Sequence, residues 1–281
     1  MKSLLNRTYP ESLAEVREAR TLEDTMAPVR EISPRQPLQW LAAGWCDLWQ
    51  APAALLHGVF LAVIGAGLAW VTWSQPWVGF VALTGLFLIA PVLAVGVNHM
   101  GHLLDRQEPV GLRSGFGFHR AVRGPVWGFA GLLAAVFVTW ASFVWLWIGV
   151  LNVGNANLLG PAHEMIPALL SSAAGVASLA GVLVAGAAFA LLAFALSLVT
   201  IPALMDRHAG LLDALGISLK AIRHNFRPVL VWGAAITGLG LVSIATAFLA
   251  LTVVFPWLGF AMWHGYRDLV AAPAERAPAT S

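Results

Sequence analysis

Apolar residues run nearly unbroken through five stretches, roughly 53–73, 77–99, 125–152, 165–205 and 228–270, and charged residues gather between them or at their margins. A bilayer's hydrocarbon core is about 30 Å thick and takes roughly 20 helical residues. The first two stretches are separated by WSQPW, a turn flanked by tryptophans, and each fits one crossing. The third fits one long helix. A single helix over 165–205 would be about 60 Å long at 1.5 Å per residue, twice the core thickness. The segment HEMIPALLSS (163–172) therefore reads as a short helix lying at the interface, with the crossing at about 177–203. The fifth stretch divides into a hairpin, about 228–246 and 249–270. The pattern predicts an all-α polytopic membrane bundle of about six transmembrane helices.

Charge orients this bundle. The segment 98–125 carries Arg106, Arg113, Arg120 and Arg123, and 205–227 carries Arg207, Lys220, Arg223 and Arg227. With one crossing in 125–152 and one in 165–205, both basic segments fall on the same side, as the positive-inside rule requires of a cytoplasmic face. All 16 Lys and Arg then face the cytoplasm together with both termini, and the outer loops hold none. Trp70, Trp73, Trp77, Trp145 and Trp147 mark the outer boundary, and Trp127, Trp232 and Trp263 the inner one, as an aromatic belt does. Trp140 and Trp257 fall deeper and read as packing residues.

The expected organisation is a polar cytoplasmic tail over 1–37, a transmembrane domain over 38–270 and a second tail over 271–281. The first tail mixes six Lys/Arg with six Asp/Glu and has no apolar core, so it does not read as a cleaved signal. Composition agrees: 59% of residues are hydrophobic and 11% charged, against about 25% charged in an ordinary soluble domain. One cysteine, Cys46, permits no internal disulfide.

Two amphipathic segments precede hairpins. Leu38, Leu41, Trp45 and Leu48 repeat at steps of three, four and three, and Leu212, Leu215, Leu219 and Ile222 repeat the same steps. Each predicts a helix on the inner face, followed by Pro52 or Pro228. Each then leads to a hairpin whose second arm carries a proline, Pro91 or Pro256, with His99 or His264 eight residues later. This pattern fits a two-copy hairpin repeat. Pro91, Pro202 and Pro256 are expected to kink their helices.

The candidate chemistry is sparse. His99 and His102 are three apart and share a helix face, and with His264, and with His208, Asp105 and Asp206 near the same boundary, they raise a metal or haem site. The competing reading is that these are polar helix ends at the headgroups. His57 is expected to bond within the bundle. No Asp, Glu, Lys or Arg lies inside any crossing away from its ends, which removes the usual mark of an ion-coupled transporter. Thr139, Ser142, Ser171, Ser172, Ser197, Thr200, Thr237, Ser243 and Thr246 are expected to bond backbone carbonyls or join helices. The Gly- and Ala-rich run GVASLAGVLVAGAAFALLAFA fits close helix packing. The loop RQEPVGLRSGFGFHRAVRGP matches no nucleotide motif, and its arginines suit anionic lipid headgroups.

The segments TIPALMDRHAGLLDALGISLKAIRHNFRPVLVWGA (200–234) and FPWLGFAMWHGYRDLV (255–270) resemble a family of predicted integral membrane proteins of unknown function, the domain-of-unknown-function group numbered twenty-one eighty-nine. WLAAGWCDLWQAPAALLHG (40–58) and LFLIAPVLAVGV (86–97) fit the same family. The resemblance implies a bacterial inner-membrane protein and no reaction. His264 falls inside its W-H-x-Y-R box, whereas His99 and His102 depart from the family's pattern. The sequence thus favours a non-enzymatic structural, accessory or assembly factor, with no cofactor, in contact with anionic lipid and a membrane-protein partner and not with nucleic acid. A permease or channel for a small neutral or lipid-like solute, passing Ser197, Thr200 and Thr237, and a haem- or metal-binding protein are the alternatives.

Overall fold

The computed structural model describes residues 29–116, 124–151, 160–207 and 209–270. Arg120, Arg123, His208, the tail before residue 29 and the tail from 271 lie outside the described residues. The protein is an all-α polytopic bundle. Its helices are α1 (Gln36–Gln50), α2 (Leu55–Val71, led in by a 3₁₀ turn Pro52–Ala54), α3 (Pro76–Leu93), α4 (Val95–Asp105), α5 (Leu112–Phe116), α6 (Gly124–Leu151), α7 (Ala162–Ser171), α8 (Ala173–Ser197), α9 (Thr200–Asp206), α10 (Leu211–His224), α11 (Phe226–Ala245) and α12 (Leu251–Leu269).

Five stretches are long and apolar enough to cross a membrane: Pro52–Val71, Pro76–Asp105, Gly124–Val150, Ala173–Asp206 and Phe226–Ala245. The sixth expected crossing, α12, is not among them. Its reason is visible in its surroundings: no residue from Leu251 to Val270 is exposed. It packs against α1, α2, α4, α9 and α11, so protein and not lipid surrounds it, and it tolerates His264, Tyr266, Arg267 and Asp268 in its last turns.

The divided reading of 165–205 is observed. Ser172 adopts an extended backbone between α7 and α8, and its hydroxyl accepts from the Gly175 N–H as an N-cap. Proline leaves its mark on two other helices. Pro91 lies in the last turn of α3, which is separated from α4 at Ala94. Pro202 lies at the start of α9, just after a break at Leu198 and Val199. Pro256, expected to kink as well, sits inside an uninterrupted α12. Lacking an N–H, Pro256 leaves the Thr252 carbonyl without its helical donor, and that carbonyl points at Gly58 of α2, where an added Cβ would lie 2.1 Å from its oxygen. Close packing takes up the local irregularity.

Small residues set the other contacts of α12. A Cβ on Gly44 of α1 would meet the Ala261 nitrogen at 2.5 Å, and one on Gly65 of α2 would meet the Phe248 ring at 2.8 Å. The Gly/Ala-rich α8 divides into two faces. Gly175, Ser178 and Val182 are buried and Gly181 abuts Trp147, while Leu183, Val184 and Leu191 are exposed for lipid. Trp140 proves to be the packing residue expected, 1% exposed among Phe80, Phe143 and Phe189, with its Nε1–H donating to Thr84 Oγ1 at 2.9 Å.

Candidate functional site at the basic end of the bundle

The described Lys and Arg side chains collect around one end, where α4, α9 and α12 finish and α1 and α11 begin. The polar residues at the end of α12 form a hub there. His264 Nε2 lies 2.7 Å from Asp47 Oδ2 of α1. Tyr266 donates its hydroxyl to Asp206 Oδ2 of α9 at 2.7 Å. Arg267 Nε lies 3.3 Å from Asp105 Oδ2 of α4. Asp268 Oδ2 accepts from Gln36 Nε2 and Trp40 Nε1 of α1, both at 2.8 Å. Four side chains within five residues thus fasten α12 to three helices. A helix advances about 100° per residue, so neighbouring positions point in different directions, and a central helix can serve several partners at once.

The chain before α1 closes this end. Val29 pairs with Val270 as an isolated antiparallel bridge, and Arg30 N–H donates to the Leu269 carbonyl at 2.8 Å. Asn225, 2% exposed, accepts from the Ile32 N–H and donates to the Arg30 carbonyl.

The three candidate histidines do not share one centre. His264 faces Asp47 on α1, whereas His102 Nδ1 lies 3.8 Å from Asp206 Oδ1 and its ring stands edge-on to Trp263 at 5.1 Å. His99 is half-buried beside them on α4. Among the described residues no group of three or more His, Cys, Asp or Glu side chains is arranged to hold a metal ion. Next to His102, the Trp263 Nε1 and Asn98 Oδ1 are buried with no hydrogen-bond partner among the described residues. His57, expected to bond within the bundle, has Nε2 3.3 Å from the Gly115 carbonyl of the segment carrying α5.

Burial first, and then the Asp206 carboxylate, push the Tyr266 phenol above its ordinary pKa. Removing the phenol's acceptor should be costly: Asp206→Ala leaves the buried hydroxyl proton without an acceptor, while the Arg207 side chain still bonds the oxygen, a loss of roughly 1–3 kcal/mol. Asp206→Asn retains an acceptor and should recover most of it. Denaturant titration followed by circular dichroism in detergent reads the difference, and equal stability of the Ala variant and the parent would contradict the described bond.

Six of the intramembrane hydroxyls are also committed. Thr139, Thr237, Ser243 and Thr246 donate to carbonyls four residues earlier in their own helices, and Ser197 and Thr200 do the same with Ala193 and Leu196. Ser218 joins α10 to α8 through the Ala195 carbonyl at 2.7 Å. Sequence reasoning missed Tyr266, Asp268 and Asp47 as a connected set. Their signal was present as the polar cluster HGYRD closing the apolar run after Pro256, but partners up to 232 positions away cannot be paired by spacing.

The fold is that of an integral membrane protein. A family described as predicted integral membrane protein (DUF2189) matches residues 79–206, and the resemblance drawn from the sequence is shown over that segment. The match contains LFLIAPVLAVGV and the start of the 200–234 box, while the 40–58 and 255–270 boxes lie outside it. No curated protein and no solved structure matches the chain.

Proposed function

We propose that the protein is a non-catalytic accessory or assembly factor of a bacterial inner membrane, with its basic end and both termini on the cytoplasmic side. The observation that carries this reading is the hub: the carboxylates of Asp47, Asp105, Asp206 and Asp268, from four helices, are each bonded across a helix interface. Groups in this state hold the helices in a fixed geometry. The committed hydroxyls point the same way, with Thr237 on the exposed face of α11 and Thr200 buried against its own helix, so Ser197, Thr200 and Thr237 give a solute no shared polar path. Arg106, Arg113, Arg207, Lys220, Arg223 and Arg227 form the face for anionic headgroups.

The test is cross-linking in native membranes followed by purification in mild detergent. The expected result is a second membrane protein at fixed stoichiometry, lost when α1 is uncoupled by Asp47→Ala with Asp268→Ala. Recovery of this chain with lipid alone, at every cross-linker length, would overturn the reading.

A further inference from the structure

Contacts along α12 give its depth in the bundle. Val97 packs on Gly259, Gly101 on Trp263, Asp105 on Arg267, and Phe87 on Phe248. The separations are 162, 162, 162 and 161 residues (259−97, 263−101, 267−105, 248−87), so α12 runs parallel to α3–α4 in constant register. On its other side α1–α2 runs antiparallel, with Gly44 at Ala261, Gly58 at Leu251 and Thr252, and Gly65 at Phe248. Both neighbours place the α11–α12 turn, at Phe248, level with Phe87. That residue is eleven positions from Pro76, where α3 begins, or about 16 Å at 1.5 Å per residue. Gly65, on the other side, is six positions from Val71, where α2 ends, so the turn stops roughly 9–16 Å short of the α2–α3 turn.

The turn is also built for an apolar surrounding. Its sequence, SIATAFLALT over 243–252, has no charge, Gly, Pro, Asn, Trp or Tyr. Every backbone N–H from Thr246 to Val254 is nonetheless satisfied: Thr246 to Val242, Ala247 to Ile244, Phe248 to Ser243, and the rest to turn carbonyls or to Thr246 Oγ1. In hydrocarbon an unsatisfied group costs several kcal/mol, whereas at a wet surface water would serve. Ala247 and Phe248 adopt φ of 49° and 70°, a left-handed pair without glycine, and Phe248 is held there by burial against Gly65 and Phe87.

We infer that α11–α12 is a re-entrant hairpin: although α11 is itself long and apolar enough to cross, its first turns lie beside α1 at the basic end, with Trp232 on Trp40, so the hairpin turns back in the apolar interior below the α2–α3 turn and leaves four helices, α2, α3–α4, α6 and α8–α9, to cross. An even number of crossings returns α12 to the end where α1 starts, as Val29–Val270 and Trp40–Asp268 require. The supposed repeat is therefore unequal. Pro91 is the sixteenth residue of α3 and Pro256 the sixth of α12, so the second hairpin is ten residues shorter on that arm, about 15 Å.

Spin labels on the full chain in liposomes test this without assuming an orientation. In a Cys46→Ser background, labels are placed by Ala247→Cys, by Leu249→Cys, by Gln75→Cys in the α2–α3 turn, and by Val138→Cys on the exposed middle of α6. Collision with lipid-soluble oxygen is compared with collision with a water-soluble nickel chelate. The expected oxygen-to-nickel ratio at 247 and 249 is closer to that at 138 than to that at 75. Ratios at both sites closer to that at 75 would make the turn a surface loop and overturn the proposal. The pair of turn labels guards against one variant perturbing the left-handed backbone.

Discussion

Gly58→Ala is expected to destabilise the protein by several kcal/mol, although alanine is the better helix former. On an exposed helix the exchange gains up to about 1 kcal/mol. Here the new methyl would lie 2.1 Å from the Thr252 oxygen, 2.5 Å from its carbonyl carbon and 2.7 Å from the Leu251 oxygen. All three atoms are backbone, so no side chain can rotate away, and α2 must separate from α12. Overpacking a filled interior costs about 1–3 kcal/mol, and separation also loosens the packing of α2 on α12 along the rest of their contact. Gly67 of the same helix has nothing within 4 Å of an added Cβ, so Gly67→Ala should be neutral or mildly stabilising. Unfolding by SDS titration, followed by circular dichroism in mixed micelles, gives both values. Equal midpoints for the two variants would show that α2 and α12 are not in close contact.

The apolar runs disclosed the crossing helices because lipid and packed neighbours make the same demand on them. The break at Ser172 was legible from length and charge together, since one helix could not occupy 165–205 inside a bilayer and two crossings there would have put a basic segment outside. Other features required contacts that no local pattern carries. Pro256 was read as a kink, but the compensation comes from Gly58, 198 residues earlier (256−58), and α12 stays continuous. The fifth apolar stretch was divided into two crossings because that returns Arg267 and Arg276 to the side of the other basic segments. What decides its depth is the seat of Phe248 between Gly65 and Phe87, residues that belong to another hairpin. The difference in spacing from each turn to Pro91 and Pro256 was readable all along. It gains meaning only once the two arms are known to run side by side.

The histidines show the same division. Three residues of one type near one boundary suggested convergence, and the helices do bring His102 and His264 to the same end. Helix rotation then sends them to different carboxylates, Asp206 and Asp47. Position along a helix fixes depth, whereas direction around it depends on which neighbour packs where. Depth was legible, and direction was not.

Direction around the helix also sets the largest expected loss, at Trp40. Of the tryptophans on α1, Trp45 and Trp49 point outward and Trp40 is 1% exposed. Its indole meets Trp232 of α11 edge-on at 5.7 Å, lies where a Cβ on Gly265 would come within 3.0 Å of its ring, and donates to Asp268 at 2.8 Å. Trp40→Ala removes all three contacts and opens a cavity where α1, α11 and α12 meet, an expected cost of about 3–5 kcal/mol. Trp40→Phe keeps most of the ring but loses the donor to Asp268, which retains Gln36, so the cost should fall to about 1–3 kcal/mol. Trp70, 80% exposed near the α2–α3 turn, should tolerate alanine within about 0.5 kcal/mol. The ordering Trp40→Ala, then Trp40→Phe, then Trp70→Ala, read as SDS unfolding midpoints, follows from α1 being built into the bundle. If Trp40→Ala unfolds with the parent, α1 is instead a loosely attached surface helix, and the hub cannot be what holds this end together.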